Sequence, residues 1–373
     1  MPATGTAPCQ PVLQDISPGI ATEDLLSAIL RANPGASDLV FSPGRKFQVH
    51  VNGELLPVEA SRCPYLTSDD TRRIASDLIA NNKAAINLLR ETGCCDVSYA
   101  LPGVARFRVN VFIQRGSCAV VMRVIPTTVP DFKKLGLPEQ LREIAQLQDG
   151  LVLVTGPRAS GKSSTLAALL DYINEHETRH IITIEDPIEF LHNHKRSTVH
   201  QRELHSDTPT ISQAMSAASR QAPNVIAVGE LKDRQTMELA LDAAETGHLV
   251  LSTLNTLTAQ QTIERFLAAF AMEEQAFARG RLGRVLRYLI SQRLVPRNSE
   301  SSRSAVFEVL KAGSSTLDSL VNPAGMVSEQ AIDFSIDAQI EDLVRAGIVN
   351  PEIAVTHAID PKALAQRLGM KMR

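Results

Sequence analysis

Tryptophan is absent, and aromatic residues make up only 4 % of the chain. Few flat side chains are therefore on offer for stacking the bases of a single strand. No apolar run approaches the ~18 residues a spanning helix needs, and no basic-plus-apolar leader opens the chain, so neither a membrane span nor a secretory signal is expected. Charge of one sign is lacking as well: 38 Lys and Arg stand against 41 Asp and Glu, a net of −3. That excludes a broadly basic protein that holds nucleic acid by neutralising its backbone. Cysteine is scarce and irregular. Cys9, Cys63, Cys94, Cys95 and Cys118 all lie in the first third, an odd set that fits free thiols in a reducing compartment rather than a disulfide frame.

What is present is enough for two domains. The 373 residues exceed one ordinary compact core, and a hydrophobic content of 44 % excludes wholesale disorder. Residues 1–16, rich in Pro and small residues, are expected to form a flexible tail. A first domain is placed at 17–130. In it, Thr22 is expected to cap a helix carrying Leu25, Leu26, Ile29 and Leu30, stopped by Pro34-Gly35. Strands are expected near 39–41 and 47–51, followed by a tight turn at Asn52-Gly53 and a second helix from Ser68. From Arg106 the alternation is clean: Arg106, Arg108 and Asn110 share one face, Phe107, Val109 and Val111 the other. A return strand runs over 119–125. The pattern predicts a small α+β domain with two helices, and 127–135 reads as linker.

The second domain, 131–373, opens with a short helix after Pro138 that carries Leu141, Ile144 and Leu147. Continuous apolar runs at 151–155, 181–184, 225–228 and 249–251 then alternate with helical periodicity. Strands buried on both faces and separated by helices predict a doubly wound parallel α/β sheet. Near the end, Ile336, Ile340, Leu343 and Val344 lie on one face of a predicted helix over 331–346, stopped by Gly347.

The decisive motif is Gly156-Pro157-Arg158-Ala159-Ser160-Gly161-Lys162-Ser163, which fits G-x-x-x-x-G-K-[ST] and joins a buried strand to a helix beginning near Ser164. The pattern arises by accident in about 1 % of chains this long. Its glycines let backbone N–H groups face phosphate oxygens, and the helix N-terminus adds positive partial charge. Lys162 would contact the β- and γ-phosphates of ATP, and Ser163 would ligate Mg²⁺. Hydrolysis further needs a carboxylate at the C-terminal ends of the strands. Glu185-Asp186 and Glu230 hold such positions.

The stretches Thr183-Ile-Glu-Asp-Pro-Ile-Glu-Phe190, Val228-Gly-Glu230 and Ala244-Glu-Thr-Gly-His-Leu249 resemble the Asp-box, Walker-B and His-box of the secretion ATPases. Gln201-Arg-Glu203 with Asp207-Thr208, Ala36-Ser-Asp-Leu39 and Asn52-Gly-Glu54 resemble the pilus-retraction (PilT/PilU) group in particular. Arg220-Gln-Ala-Pro223, Glu238 and 303–310 (RSAVFEVL) lean towards the accessory PilU side. The resemblance implies a RecA-like ATPase domain preceded by a PAS-like domain, assembled as a homohexamer with ATP between subunits. It implies Glu185 as the base aligning water, Glu230 as an Mg²⁺ holder, His248 as a reporter of nucleotide state, and Arg108 and Arg123 as phosphate-reaching cations. It also implies a pilus platform protein at the inner face of the inner membrane as partner, membrane association through partners only, a paralogous retraction ATPase, and no nucleic acid.

Five positions depart from the family pattern. Ala159 replaces a glycine, and its Cβ is expected to hold φ negative and narrow the phosphate cradle. Arg158 is bulky where a small residue is common. Asn255 stands for a second His-box histidine and cannot carry a proton. Asn224 replaces an Asp, and Asp149 replaces an Arg. Together these predict a slow or partner-dependent ATPase. Two other readings stay open: a non-catalytic, nucleotide-binding ring subunit, and a nucleic-acid translocase on the same core. His192 and His194 alternate as if on one strand face and suggest a metal pair only weakly, lacking a third ligand.

Overall fold

The structure, a computed structural model, describes residues 19–51, 54–60, 65–125, 128–298, 302–311, 332–333 and 335–370. The expected tail at 1–16, the Asn52-Gly53 turn, Cys9 and Cys63 lie outside these. Two compact units divide the chain, residues 1–127 and 128–373.

The N-terminal unit runs α1 (Thr22–Ala32), β1 (Ala36–Phe41), β2 (Phe47–Val51), β3 (Glu54–Val58), α2 (Ser68–Ile79), α3 (Lys83–Thr92), β4 (Cys94–Leu101), β5 (Ala105–Gln114) and β6 (Ser117–Ile125). Its antiparallel sheet has the order β3-β2-β1-β6-β5-β4. One face carries Leu39, Phe41, Val49, Phe107, Val109, Val111 and Met122, packed on Leu25, Leu26 and Ile29 of α1 and Ile74 and Leu78 of α2. Phe107, Val109 and Val111 are wholly buried, as the alternation predicts.

Three details differ from expectation. Ala21, not Thr22, precedes α1, because the Thr22 hydroxyl donates to Asp77 (2.6 Å) and ties α1 to α2. Thr67 caps α2 reciprocally with Asp70. The unit has three helices among the described residues rather than two: α3 is capped by Asn82 and stopped by Gly93 at φ +78°. It hid in the sequence because Ala85 is its one fully buried residue, which leaves no strong apolar stripe. Cys94, Cys95 and Cys118 are free thiols, and burial pushes Cys95 up to about 11, out of reach of thiolate chemistry near neutrality.

In the C-terminal unit, part of the expected linker is folded: Asp131 caps α4 (Phe132–Leu135), and a 3₁₀ helix follows over Glu139–Gln146. Next come β7 (Gly150–Thr155), α5 (Lys162–His176), β8 (His180–Glu185), β9 (Thr198–Glu203), α6 (Ile211–Ala218), β10 (Val225–Val228), α7 (Arg234–Glu245), β11 (Leu249–Leu254), α8 (Ala259–Leu267) and α9 (Gln275–Val285). The chain continues through β12 (Leu286–Pro296), β13 (Arg303–Lys311), β14 (Ile332–Asp333), α10 (Ile336–Arg345), α11 (Pro351–His357) and α12 (Pro361–Arg367). Strand order is β14-β13-β12-β7-β11-β10-β8-β9, parallel from β12 to β9 and antiparallel at the β13 and β14 edge.

Side chains alternate between two full cores. Leu151 and Leu153 meet α6–α9 on one face, while Val152 and Val154 meet α5 and the 3₁₀ helix on the other. That is why these strands read as unbroken apolar runs. A smaller core joins Val295 and Val306 to α10–α12. The α10 helix begins at Ile336, not near 331; residue 331 lies outside the described residues. No helix among the described residues is long and apolar enough to cross a membrane.

Candidate functional site

Several candidate site residues of the C-terminal unit sit at or just past strand ends, and which end decides what they can reach. β7 ends at Thr155, and the loop over 156–161 turns into α5. A Cβ on Gly156 would meet the Gln292 carbonyl at 2.3 Å and Ser160 Oγ at 2.5 Å. On Gly161, at φ +89°, it would lie 2.9 Å from Gln292 Nε2. Both positions therefore need glycine. The Gln292 side chain in turn accepts from Thr165 Oγ1 of α5 (2.6 Å). Gln292, which the motif pattern did not single out, thus closes the back of the loop from β12.

Ala159 overturns its expectation. It adopts φ +60°, the left-handed conformation a glycine would take. The loop keeps its shape and the alanine bears the strain, about 1–2 kcal/mol. Ser160 Oγ is buried and has no hydrogen-bond partner, and Arg158 is exposed. A buried hydroxyl without a partner beside a glycine-lined cradle fits phosphate oxygens.

Around the loop, polar groups bond to one another. Lys162 Nζ donates to the carbonyls of Gly156 (2.9 Å) and Pro157 (2.8 Å). Burial lowers its pKa, and Glu230 and Glu189 partly oppose that, so both carboxylates lie within its field. Ser163 Oγ donates to Glu189 (2.9 Å), and Glu230 accepts from Asn255 at the end of β11. Ser164 follows in the first turn of α5. The Ser163 hydroxyl and the Glu230 carboxylate are hard oxygen donors of the kind Mg²⁺ takes together with a triphosphate. Among the described residues there is no cluster of three His, Cys, Asp or Glu able to hold a metal by itself.

Glu185 ends β8 beside Gly229, whose N–H donates to the Ile184 carbonyl (2.9 Å). Part of the residue is exposed, yet its carboxyl is enclosed. Desolvation pushes its pKa up, and hydrogen bonds from Thr183 (2.6 Å) and Gln201 (3.0 Å) pull only part of the way back. A buried, proton-hungry carboxylate at the same edge of the sheet as the phosphate loop is an arrangement suited to general-base work.

The structure does not bring His248 to this place. His248 precedes β11 at the opposite end of the sheet, roughly 23 Å of extended chain from Asn255 at about 3.3 Å per residue. Its ring and N–H contact the Ala243 carbonyl (3.0 and 3.1 Å), and its carbonyl accepts from Gly150 (3.1 Å). Within one chain, the position in that motif that lies at the end carrying the phosphate loop is Asn255.

Two departures lie at the same distant end. Asn224 accepts from His180 N–H (2.8 Å) and exchanges backbone bonds with His180 and Leu249. Asp149 pairs with Arg287 (2.6 Å). Neither touches the phosphate loop. His192 and His194 lie in a loop, not on a strand: His192 is buried 3.7 Å from Asp171, and His194 accepts from Val199 N–H.

In the N-terminal unit, Arg108 and Arg123 are register partners on the exposed face of β5 and β6. Arg123 also pairs with Asp38 (2.9 Å). Burial works to raise Asp38, but hydrogen bonds from Arg123 and Ser37 outweigh it and its pKa is lowered overall.

Comparison with known proteins agrees with this geometry. The profile of the family described as type II/IV secretion system protein matches residues 91–357. The chain is 40 % identical over 321 residues to the type IV pilus retractation ATPase PilT of Pseudomonas aeruginosa, covering 85 % of this chain and 91 % of that one. To the type IV pilus ATPase PilU of the same organism it is 38 % identical over 281 residues, covering 75 % and 72 %. A crystal structure of the pilus retraction motor PilT with bound ADP superposes with a TM-score of 0.83 at 38 % identity, over 92 % of this chain and 98 % of that one.

Proposed function

The chain belongs to the type II/IV secretion system protein family, in its pilus-retraction (PilT/PilU) group, and from that premise we propose that it is a mechanochemical ATPase that powers retraction of type IV pili. The observation that carries the reading is the loop over 156–163, shaped for phosphate by Gly156, Gly161 and a strained Ala159, with Glu185 and Glu230 at the ends of β8 and β10 on the same edge of the sheet.

The backbone N–H groups of the loop and Lys162 grip the triphosphate of ATP, Lys162 exchanging its two carbonyl partners for phosphate oxygens. Mg²⁺, held by Ser163 and Glu230, would neutralise charge on the β- and γ-oxygens. Glu185 orients a water for in-line attack on the γ-phosphorus. The bond from that phosphorus to the bridging oxygen breaks, ADP leaves with the oxygen, and the water's proton passes to Glu185. Only the ionised carboxylate does this. Because burial raises its pKa, turnover falls on the acid side beginning at a higher pH than an exposed glutamate would allow.

Arg108 and Arg123 are assigned to transition-state charge, delivered to a neighbouring copy in a hexamer; such cations are worth about 10³–10⁵ in rate. The ring would act at the cytoplasmic face of the inner membrane on a platform protein, alongside a paralogous retraction ATPase. Asn255 binds Glu230 without shuttling a proton and makes turnover slow or partner-dependent.

The test is ligand-linked stability. Mg-ATP at 100 times its Kd should stabilise the wild-type protein by about 2.7 kcal/mol, read as a rise in melting temperature. Lys162→Ala should show no rise and no phosphate release. Equal rises in both proteins would remove the loop from the mechanism.

A further inference from the structure

Glu185 takes part of its aim from outside its own strand. Its Oε1 accepts from Thr183, two residues back on β8, and from Gln201 Nε2 on the neighbouring β9, where Gln201 is the register partner of Thr183. The same amide reaches further. Nε2 also donates to the Phe190 carbonyl (2.8 Å), and Oε1 accepts from His192 N–H (2.8 Å). One side chain therefore holds Glu185 and both backbone groups of the loop that follows it. That loop carries Glu189, whose carboxylate engages Ser163 of the phosphate loop.

We propose that Gln201 is a positioning residue that locks Glu185 and the 186–192 loop together, so that the base and the Ser163 side of the site move as one body. It touches neither water nor nucleotide and acts through Glu185. The inference rests on Glu185 being the base, as read above.

The charges around Glu185 leave Gln201 as a neutral donor among acids. Glu203, the register partner of Glu185, accepts from Ile188 N–H (3.3 Å), Asp186 pairs with Lys232 (3.2 Å), and Glu189 and Glu230 lie towards Lys162. His192 is the nearby cation when protonated, and it lies against Asp171. A donor at 201 favours the carboxylate of Glu185, and an acid at 201 disfavours it.

The experiment is steady-state ATP hydrolysis by the full chain across pH 5–9, for wild type, Gln201→Glu and Gln201→Met, with Glu185→Gln as the reference. The glutamate variant keeps size and the acceptor for His192; the methionine variant keeps length alone, and decides the matter should the first fail to fold. Both should lose about 10–100-fold in kcat, the range met when the outer partner of a working group is removed, with KM for ATP within about twofold of wild type. In Gln201→Glu the acid limb of the kcat profile should also move up by about one pH unit, since a lost donor and an added acid both raise Glu185. A merely structural role would lower the melting temperature and leave that limb and the kcat of the folded fraction in place, which overturns the proposal. If Glu185→Gln is inactive while the 201 variants match wild type, this inference alone fails. If Glu185→Gln turns over normally, the assignment of the base fails and takes this inference with it.

Discussion

The two ends of the parallel sheet in the C-terminal unit are built to different rules. At the end where the strands finish, side chains are held by exchangeable bonds: Lys162 on loop carbonyls, Ser163 on Glu189, Glu230 on Asn255, and a buried Ser160 hydroxyl with no hydrogen-bond partner. One residue there, Ala159, is strained. At the end where the strands begin, Asn224, Asp149 and His248 sit in bonds that tie neighbouring elements together. The same kind of motif departure therefore carries opposite meanings at the two ends. Rearrangeable polar contacts gather where the strands finish, and the far end serves stability; left-handed backbone does not separate the two ends, since Ala222, just before β10, takes φ +49°.

This contrast can be broken by substitutions that separate stability from nucleotide handling. The largest effect on stability is expected from Asn224→Ala, which strips the His180 N–H of its partner at the distant end. Part-exposure lets water substitute, so the loss should be about 1 kcal/mol in denaturant unfolding, with KM and kcat for ATP unchanged. A tenfold change in kcat would erase the distinction between the ends. A smaller effect of the other sign is expected from Ala159→Gly. Removing a left-handed alanine relieves about 1–2 kcal/mol of strain, but glycine returns some 0.4–1 kcal/mol to the unfolded chain. The net gain in unfolding free energy should lie between about 0 and 1.6 kcal/mol, with ATP affinity kept within a few-fold. Loss of affinity would mean that the strain itself shapes the cradle.

Much of this was legible before any coordinates. The strand–loop–helix at 151–170 is announced by a buried run, a fixed glycine spacing and a helical period, all local signals. Phe107, Val109 and Val111 declared their face by alternation alone. What stayed hidden is long-range. Gln292 lies far from the phosphate loop along the chain, and only the parallel register of β12 against β7 sets it behind Gly156. Gln201 was visible as part of a motif, but its hold on Glu185 depends on the β8–β9 ladder. His248 and Asn255 belong to one sequence motif and were read as one place. A strand between them puts them at opposite ends of the sheet, a separation that spacing along the chain conceals until the residues are known to be extended. Ala159 was misjudged because a propensity was applied where the surrounding loop over-determines the backbone.

The most direct test of the account is a single substitution, Glu185→Gln, assayed for both binding and turnover. The account predicts that Mg-ATP binds with wild-type affinity while phosphate release falls about 10²–10⁴-fold. Wild-type release by the glutamine variant would contradict it.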